Sequence, residues 1–176
     1  MLATIGSIAR RLRHGRRGVT AVEFALVMPF FLAFLMGIIE TGLVFYSNTV
    51  VEGAVADAAR QIRTGQAQQS ADALTTFRDR LCQSLFSIMD CSALAFDVRT
   101  FPDFSSVVLT IELDEDGNPL NPPAFTPGGA GDIVVVRVTY RYTFLTPLIG
   151  VPFSDNGTNS RLIISTAVFR TEPFDS

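Results

Sequence analysis

An apolar run of 23 residues constrains this chain most: FALVMPFFLAFLMGIIETGLVFY, from Phe24 to Tyr46. Glu40 is the only charged residue within it, and apolar side chains cover every side of the helix that it would form. A helix of about 20 such residues crosses the roughly 30 Å hydrocarbon core of a bilayer. The run therefore predicts a membrane-spanning helix. It is longer than the roughly 7–15-residue core of a cleaved secretory signal, although Ala54-Val55-Ala56 offers a signal-peptidase site as an alternative.

The charge on either side of this run predicts its orientation. Residues 1–18 contain five arginines and no acid, whereas the rest of the chain contains nine arginines and 17 acids. Arginines that flank a membrane span stay on the cytoplasmic side. We therefore expect a single-pass protein of a bacterial inner membrane, with a cytoplasmic N-terminus and a periplasmic C-terminal domain. The acidic body also argues against nucleic-acid binding, which requires clustered cations.

The helical pattern continues beyond the apolar run and predicts a first helix from about residue 20 to residue 64. Apolar residues recur there every three or four positions, with charged residues between them, and Gly65 marks the end. A second helix is predicted from Ser70 to Asp90, with Ser70 as its N-cap. The apolar stripes of the two helices consist of Val51, Val55, Ala58, Ala59 and Ile62 in the first and Leu74, Phe77, Leu81, Leu85 and Ile88 in the second.

After the second helix the period of the pattern changes to two, which indicates strands. The alternation is clear in 107–113 and 134–142 and weaker in 95–101 and 162–170, so we expect an antiparallel sheet of about four strands. The connection 114–132 is rich in Pro and Gly, and its length suggests a functional or mobile loop. By the order of its elements the fold class is α+β, with a long N-terminal transmembrane helix that extends into a small outer domain.

The outer part of the chain lacks the residues that most catalytic sites need. The only histidine, His14, precedes the apolar run, so a Ser-His-Asp or Cys-His site is excluded there. Cys82 and Cys91 are nine residues apart, which matches neither a CxxC redox motif nor a zinc pair. We therefore expect no enzyme, no cofactor and no metal. In an oxidising periplasm the two cysteines are expected to form a disulfide, with a free Cys82 thiol in the core as the alternative.

The junction RRGVTAVEF resembles the cleavage site of a prepilin: a basic leader, then Gly18, then Glu23 at the fifth position of the mature chain, followed by Phe24. The longer string GVTAVEFALVMPFFLAFLMGIIETG, together with the downstream ADAARQIRTGQ, is similar to the TadE-like family of the Tad (tight adherence, Flp-type) pilus system. The resemblance covers residues 16–68. It implies that a prepilin peptidase cuts after Gly18, which removes Arg16 and Arg17 with the leader and leaves Val19 as the new N-terminus.

The resemblance also implies a role for the charge at Glu23. A lone charge at the centre of a membrane helix costs about 2.5–3.5 kcal/mol, and the amine that cleavage creates on a neighbouring subunit could pair with it. The alternative is that Glu23 lies at the interface and reaches water. Pro29 removes a backbone donor and is expected to kink the helix, unless it is simply a tolerated membrane proline. Glu40 lies about 24 Å from Phe24 along the helix axis, so we expect it near the outer interface, where a pairing role is the alternative.

The chain then divides into a prepilin leader (1–18), a transmembrane and extended helix (19–64) and a periplasmic α+β domain (65–176). The resemblance implies a minor pilin or pseudopilin that helps to assemble an adhesive Flp-type pilus, with incorporation into the extracellular fibre left open. Its expected partners are the prepilin peptidase, the inner-membrane assembly platform, the lipid bilayer, and other pilins through residues 19–46. The alternative function is an uncleaved, signal-anchored periplasmic binding domain that uses its sheet or the 114–132 loop.

Overall fold

The computed structural model describes residues 18–85, 89–115, 118–120 and 122–174. The predictions about the leader, including Arg16 and Arg17, and about Ile88 lie outside these residues. Within these residues lie three α-helices, α1 (Val19–Arg63), α2 (Ala73–Gln83) and α3 (Pro147–Gly150), and three strands, β1 (Leu94–Phe101), β2 (Ile133–Thr143) and β3 (Ser160–Arg170). The strands form one antiparallel sheet in the order β1-β2-β3, so the predicted α+β class is confirmed with one strand fewer.

The chain separates into two compact units, one ending at Ile39 and the other spanning Glu40–Ser176. Helix α1 contributes to both. In the second unit its amphipathic part buries one face, which confirms the predicted stripe from Val51 to Ile62. Arg60 and Arg63 occupy its last turn, where cations suit the negative helix end. Gly65 follows with φ +77° and lies close against the ring of Phe174, so a side chain there would meet both strain and a clash.

Helix α2 is shorter than expected and starts at a different cap. The Asp72 carboxylate accepts hydrogen bonds from the backbone N–H groups of Leu74 (3.1 Å) and Thr75 (3.2 Å), so the prediction of Ser70 as the N-cap is wrong. The Ser70 hydroxyl instead donates to the Ala67 carbonyl at 2.6 Å. Hydrogen bonds from Thr75, first from its hydroxyl and then from its backbone, lower the pKa of Asp72. Ser and Asp are both favoured at N-caps, so residue type alone does not decide between positions 70 and 72.

Segment 107–113, predicted as a strand, lies outside the sheet, and this is the missing fourth strand. Segment 124–126 takes the position beside β1 instead: Val98 N–H donates to the Ala124 carbonyl (2.7 Å), and Thr126 N–H donates to the Val98 carbonyl (2.8 Å). The carbonyls of residues 108 and 109 accept hydrogen bonds from the Arg137 guanidinium. Alternation of apolar residues indicates a half-buried surface, but it does not show which segment of backbone forms hydrogen bonds with the edge strand of a sheet.

The core lies between the outer part of α1, helix α2 and one face of the sheet. Phe125, from the connection predicted as a functional or mobile loop, packs against this core and meets Phe77 (ring centroids 5.6 Å apart) and Phe96 (6.4 Å). The described part of that connection is therefore anchored. The largest fully buried side chains are Val51, Val55, Ile62, Phe77, Leu81, Leu85, Val98, Val134, Val136 and Val138.

Candidate processing and assembly site

The residues of the predicted cleavage junction lie at the very start of α1. The helix begins at Val19, directly after Gly18, and Val19, Glu23 and Phe24 are all exposed. A Cβ added to Gly18 would have no described atom within 4 Å. The described residues therefore give no steric reason for glycine at position 18, whereas a molecule that approaches the backbone closely would favour it.

Glu23 stands one helical turn beyond Val19. Residues four apart lie on the same face of a helix, about 6 Å along its axis. If the chain began at Val19, its amine and the Glu23 carboxylate would thus share one face. The position also suits a carboxylate without any partner, because the N-terminal end of a helix carries partial positive charge. The geometry allows pairing within the chain or with a neighbouring copy.

The part of α1 that follows exposes apolar side chains. An 18-residue window of α1 has a mean hydropathy of 2.3, and none of that window is buried inside the protein. By length and composition this helix could cross a membrane. Pro29 lies inside the continuous helix and cannot donate to the carbonyl of Ala25, the acceptor that a helical N–H would use.

Glu40 is the residue whose surroundings the sequence could not reveal. Its side chain is only 4% exposed, in the unit that begins with it. Its carboxylate accepts three hydrogen bonds, from the Tyr142 hydroxyl (3.2 Å), the Leu145 backbone N–H (2.9 Å) and the Thr146 hydroxyl (3.1 Å). We call this group of four residues the Glu40 clamp. It joins α1 to the chain that leaves β2, and its partners are more than 100 residues from Glu40 in sequence.

The hydroxyl of Tyr142 is held as a donor by its environment. Burial, and then the charge of Glu40, raise the pKa of Tyr142 to about 12. The phenol therefore stays protonated at every physiological pH and can always donate to the carboxylate. Its ring packs edge-on against Phe144, with centroids 5.5 Å apart, which fixes its direction. In the Glu40 clamp, one buried carboxylate thus accepts hydrogen bonds from three donors.

Comparison with known families gives a match in the N-terminal part of the chain. Residues 18–60 match the model of the TadE-like protein family. The match begins at Gly18 and ends inside α1, so it covers 43 of the 176 residues and confirms the resemblance predicted from the junction and the apolar run. No curated protein and no solved structure matches the chain.

The TadE-like segment, residues 18–60, contains the candidate cleavage pair Gly18 and Val19, the motif residues Glu23 and Phe24, and Pro29. Glu40 also belongs to it, but the three donors of the Glu40 clamp do not. The C-terminal unit therefore completes a hydrogen-bonding site for a residue of the TadE-like segment. Among the described residues no group of three or more His, Cys, Asp or Glu is placed to hold a metal ion.

Cys82 and Cys91 form a disulfide in the structure, with their Cα atoms 5.5 Å apart. The bond ties the last turn of α2 to the short turn that precedes β1. It therefore closes a loop between the helix that covers the core and the first strand of the sheet.

Replacing both cysteines by serine is expected to lower the free energy of unfolding by about 2–3 kcal/mol, because a loop of this length would no longer be closed in the unfolded chain. The measurement is thermal unfolding of the full chain in detergent. Reduction of the wild type should reproduce the shift, and the double serine variant should not respond to reductant. Equal melting temperatures for the oxidised and reduced wild type would contradict the prediction.

Proposed function

We propose that this chain is a TadE-like minor pilin or pseudopilin, which a prepilin peptidase cuts after Gly18 and which is needed to assemble an adhesive Flp-type pilus. The observation that carries the proposal is the position of the family match. It begins at Gly18, directly before the start of α1 at Val19, and it continues through the exposed apolar helix. The chain would act as a substrate of the peptidase and as a structural subunit, without chemistry of its own.

Cleavage would change the electrostatics of the helix N-terminus. It removes all five leader arginines and leaves the amine of Val19 as the new cation beside the TadE-like segment. A lone charge at the centre of a membrane helix costs about 2.5–3.5 kcal/mol, and an unpaired Glu23 near the membrane boundary would bear part of that cost. An amine of a neighbouring subunit offsets this cost only when the two helices are in the correct axial register, which is the best-attested use of a buried polar pair.

The exposed apolar surface of residues 19–46 supplies the rest of the contact. In a membrane, helices associate mainly through van der Waals packing, because lipid is as apolar as the side chains. We propose that other pilins and the inner-membrane assembly platform bind this surface. The protein would lie in the inner membrane with its C-terminal unit in the periplasm, from where it could enter the fibre.

The alternative, an uncleaved periplasmic binding domain, needs a site for a ligand. A cavity of about 120 Å³ lies beside β1, lined among others by Phe96, Ile111, Pro119 and Arg137. Ligand sites usually have volumes of about 300–1,000 Å³. This cavity is small for such a ligand, and the family match at residues 18–60 favours the pilin function.

A substitution at Glu23 tests the function. Glu23→Ala is expected to leave cleavage largely intact and to reduce the yield of pili about tenfold or more, since a loss of only 1.4 kcal/mol per contact is tenfold in an equilibrium constant. The measurement is the amount of sheared pili from a deletion strain that expresses each variant at equal level.

Glu52→Ala is the matched control, because Glu52 is an exposed carboxylate farther along the same helix. It should support wild-type piliation. Normal pilus yield with Glu23→Ala would refute the pairing role of Glu23. Normal yield in the deletion strain without any copy would refute the proposed function itself.

A further inference from the structure

An uncharged apolar loop follows β2. Residues 145–153 read LTPLIGVPF and contain no charged side chain. Leu145 is 73% exposed, Phe153 is 61% exposed, and Val151 is 46% exposed. Burying each of these side chains would release about 1.5–3 kcal/mol. Several exposed large apolar side chains in one short uncharged segment are typical of an interaction surface.

The Glu40 clamp fixes the position of this loop on α1. The N–H of Leu145, the first residue of the loop, donates to the Glu40 carboxylate at 2.9 Å, and the hydroxyl of Thr146 donates at 3.1 Å. The start of the loop is therefore held at the height of residue 40 within its unit. Glu40 directly follows Ile39, the last residue of the unit that contains most of the apolar run.

The length of the helix places residue 40 at a membrane boundary. From Glu23 to Glu40 the helix rises about 25 Å, close to the roughly 30 Å thickness of a hydrocarbon core. With Glu23 near the inner boundary, Glu40 lies near the outer one. Phe45 and Tyr46 are exposed on α1 about 8–9 Å farther along. Aromatic residues of this kind are enriched where a membrane helix enters the headgroup region.

We propose that the 145–153 loop is a second membrane contact, which places Leu145, Val151 and Phe153 in the outer leaflet of the bilayer that α1 crosses. The inference rests on the membrane anchoring that is part of the proposed function. Lipid is the occupant that the geometry favours, because the start of the loop is hydrogen-bonded to Glu40, within the apolar run, and the loop carries no charge that would select a protein partner. An apolar surface at this depth is buried about 5–10 Å into the boundary between headgroups and acyl chains.

The contact gives the Glu40 clamp a purpose. A carboxylate and several hydroxyl and N–H groups near hydrocarbon are costly unless they bind one another. In the clamp they do so, and the bonded loop can then rest on the acyl chains. Two contacts, the span and the loop, would hold the C-terminal unit in one orientation on the membrane surface until the subunit is extracted.

The chain contains no tryptophan, so a single introduced tryptophan is a specific probe. We would reconstitute the full-length Phe153→Trp variant into phosphatidylcholine vesicles and measure quenching by lipids brominated on their acyl chains. Phe104→Trp is the matched control, since Phe104 is 59% exposed and lies outside the loop. The expected result is a blue-shifted emission and a severalfold larger loss of fluorescence for Phe153→Trp than for Phe104→Trp.

A third variant, Phe34→Trp, reports on the span itself. Quenching of Phe34→Trp without quenching of Phe153→Trp would overturn the loop inference and leave the anchor intact. Absence of quenching at both positions would overturn the anchor and, with it, the proposed function. If Phe153→Trp is protected from aqueous acrylamide but not quenched by brominated lipid, a protein surface covers the loop, and the lipid contact is wrong.

Discussion

Replacing Glu40 by alanine is expected to lower the free energy of unfolding of the C-terminal unit by about 3 kcal/mol, because three donors lose their common acceptor. The Tyr142 hydroxyl, the Leu145 N–H and the Thr146 hydroxyl all point at this carboxylate. Leaving a buried donor unsatisfied costs about 1–3 kcal/mol, and water that enters the gap recovers part of the sum. Thermal unfolding of the full chain in detergent measures the effect.

The matched controls separate the clamp from helix propensity. Glu52→Ala changes the same residue type on the exposed face of α1 and should shift the stability by no more than about 0.5 kcal/mol. Tyr142→Phe removes one donor and should cost about 1 kcal/mol in the wild type but much less in the Glu40→Ala background. Additive effects of the two substitutions would show that the Glu40–Tyr142 hydrogen bond contributes nothing.

The first helix and the fold class could be predicted because local signals agree there. Hydropathy, the periodic stripe from Val51 to Ile62, two terminal arginines and Gly65 all describe the same helix. Strands β1, β2 and β3 could be predicted for the same reason. The segments in which apolar residues alternate with other residues are strands of the sheet in the structure. The same signal was misleading in 107–113, where apolar residues are spread over an exposed segment.

What the sequence could not reveal depends on contacts between distant residues. Glu40 appeared as a lone charge near the end of an apolar run, and nothing near it in sequence announces Tyr142 or Leu145 as donors. The position of Phe125 could not be predicted for a similar reason, since nothing in a Pro- and Gly-rich connection indicates that one of its residues packs against the core. A buried carboxylate far from its partners is a tertiary feature, and only a three-dimensional arrangement reveals it.

Replacing Gly18 by valine is expected to abolish processing and to leave the fold unchanged. No described atom lies within 4 Å of a Cβ at this position, so the substitution should not disturb α1. A branched side chain would, however, block the close approach of a peptidase to the backbone. Immunoblots of cells that contain the peptidase should therefore show the chain with its leader retained, and pili should be absent.

Gly53→Val provides the control, because Gly53 lies on α1 and a Cβ added there, as at Gly18, would have no described atom within 4 Å. This variant should be processed like the wild type. Normal processing of Gly18→Val would show that the peptidase cuts at another position. Normal piliation by an uncleaved Gly18→Val chain would favour the signal-anchored alternative.

The first residue of the mature protein is the most direct test of cleavage after Gly18. We would purify the wild-type chain from cells with and without the prepilin peptidase and determine the intact mass and the first residue by mass spectrometry. The account predicts a chain that begins at Val19 in cells with the peptidase and at Met1 in cells without it. A chain that begins at Met1 in both strains would contradict the proposed processing and the role assigned to Glu23.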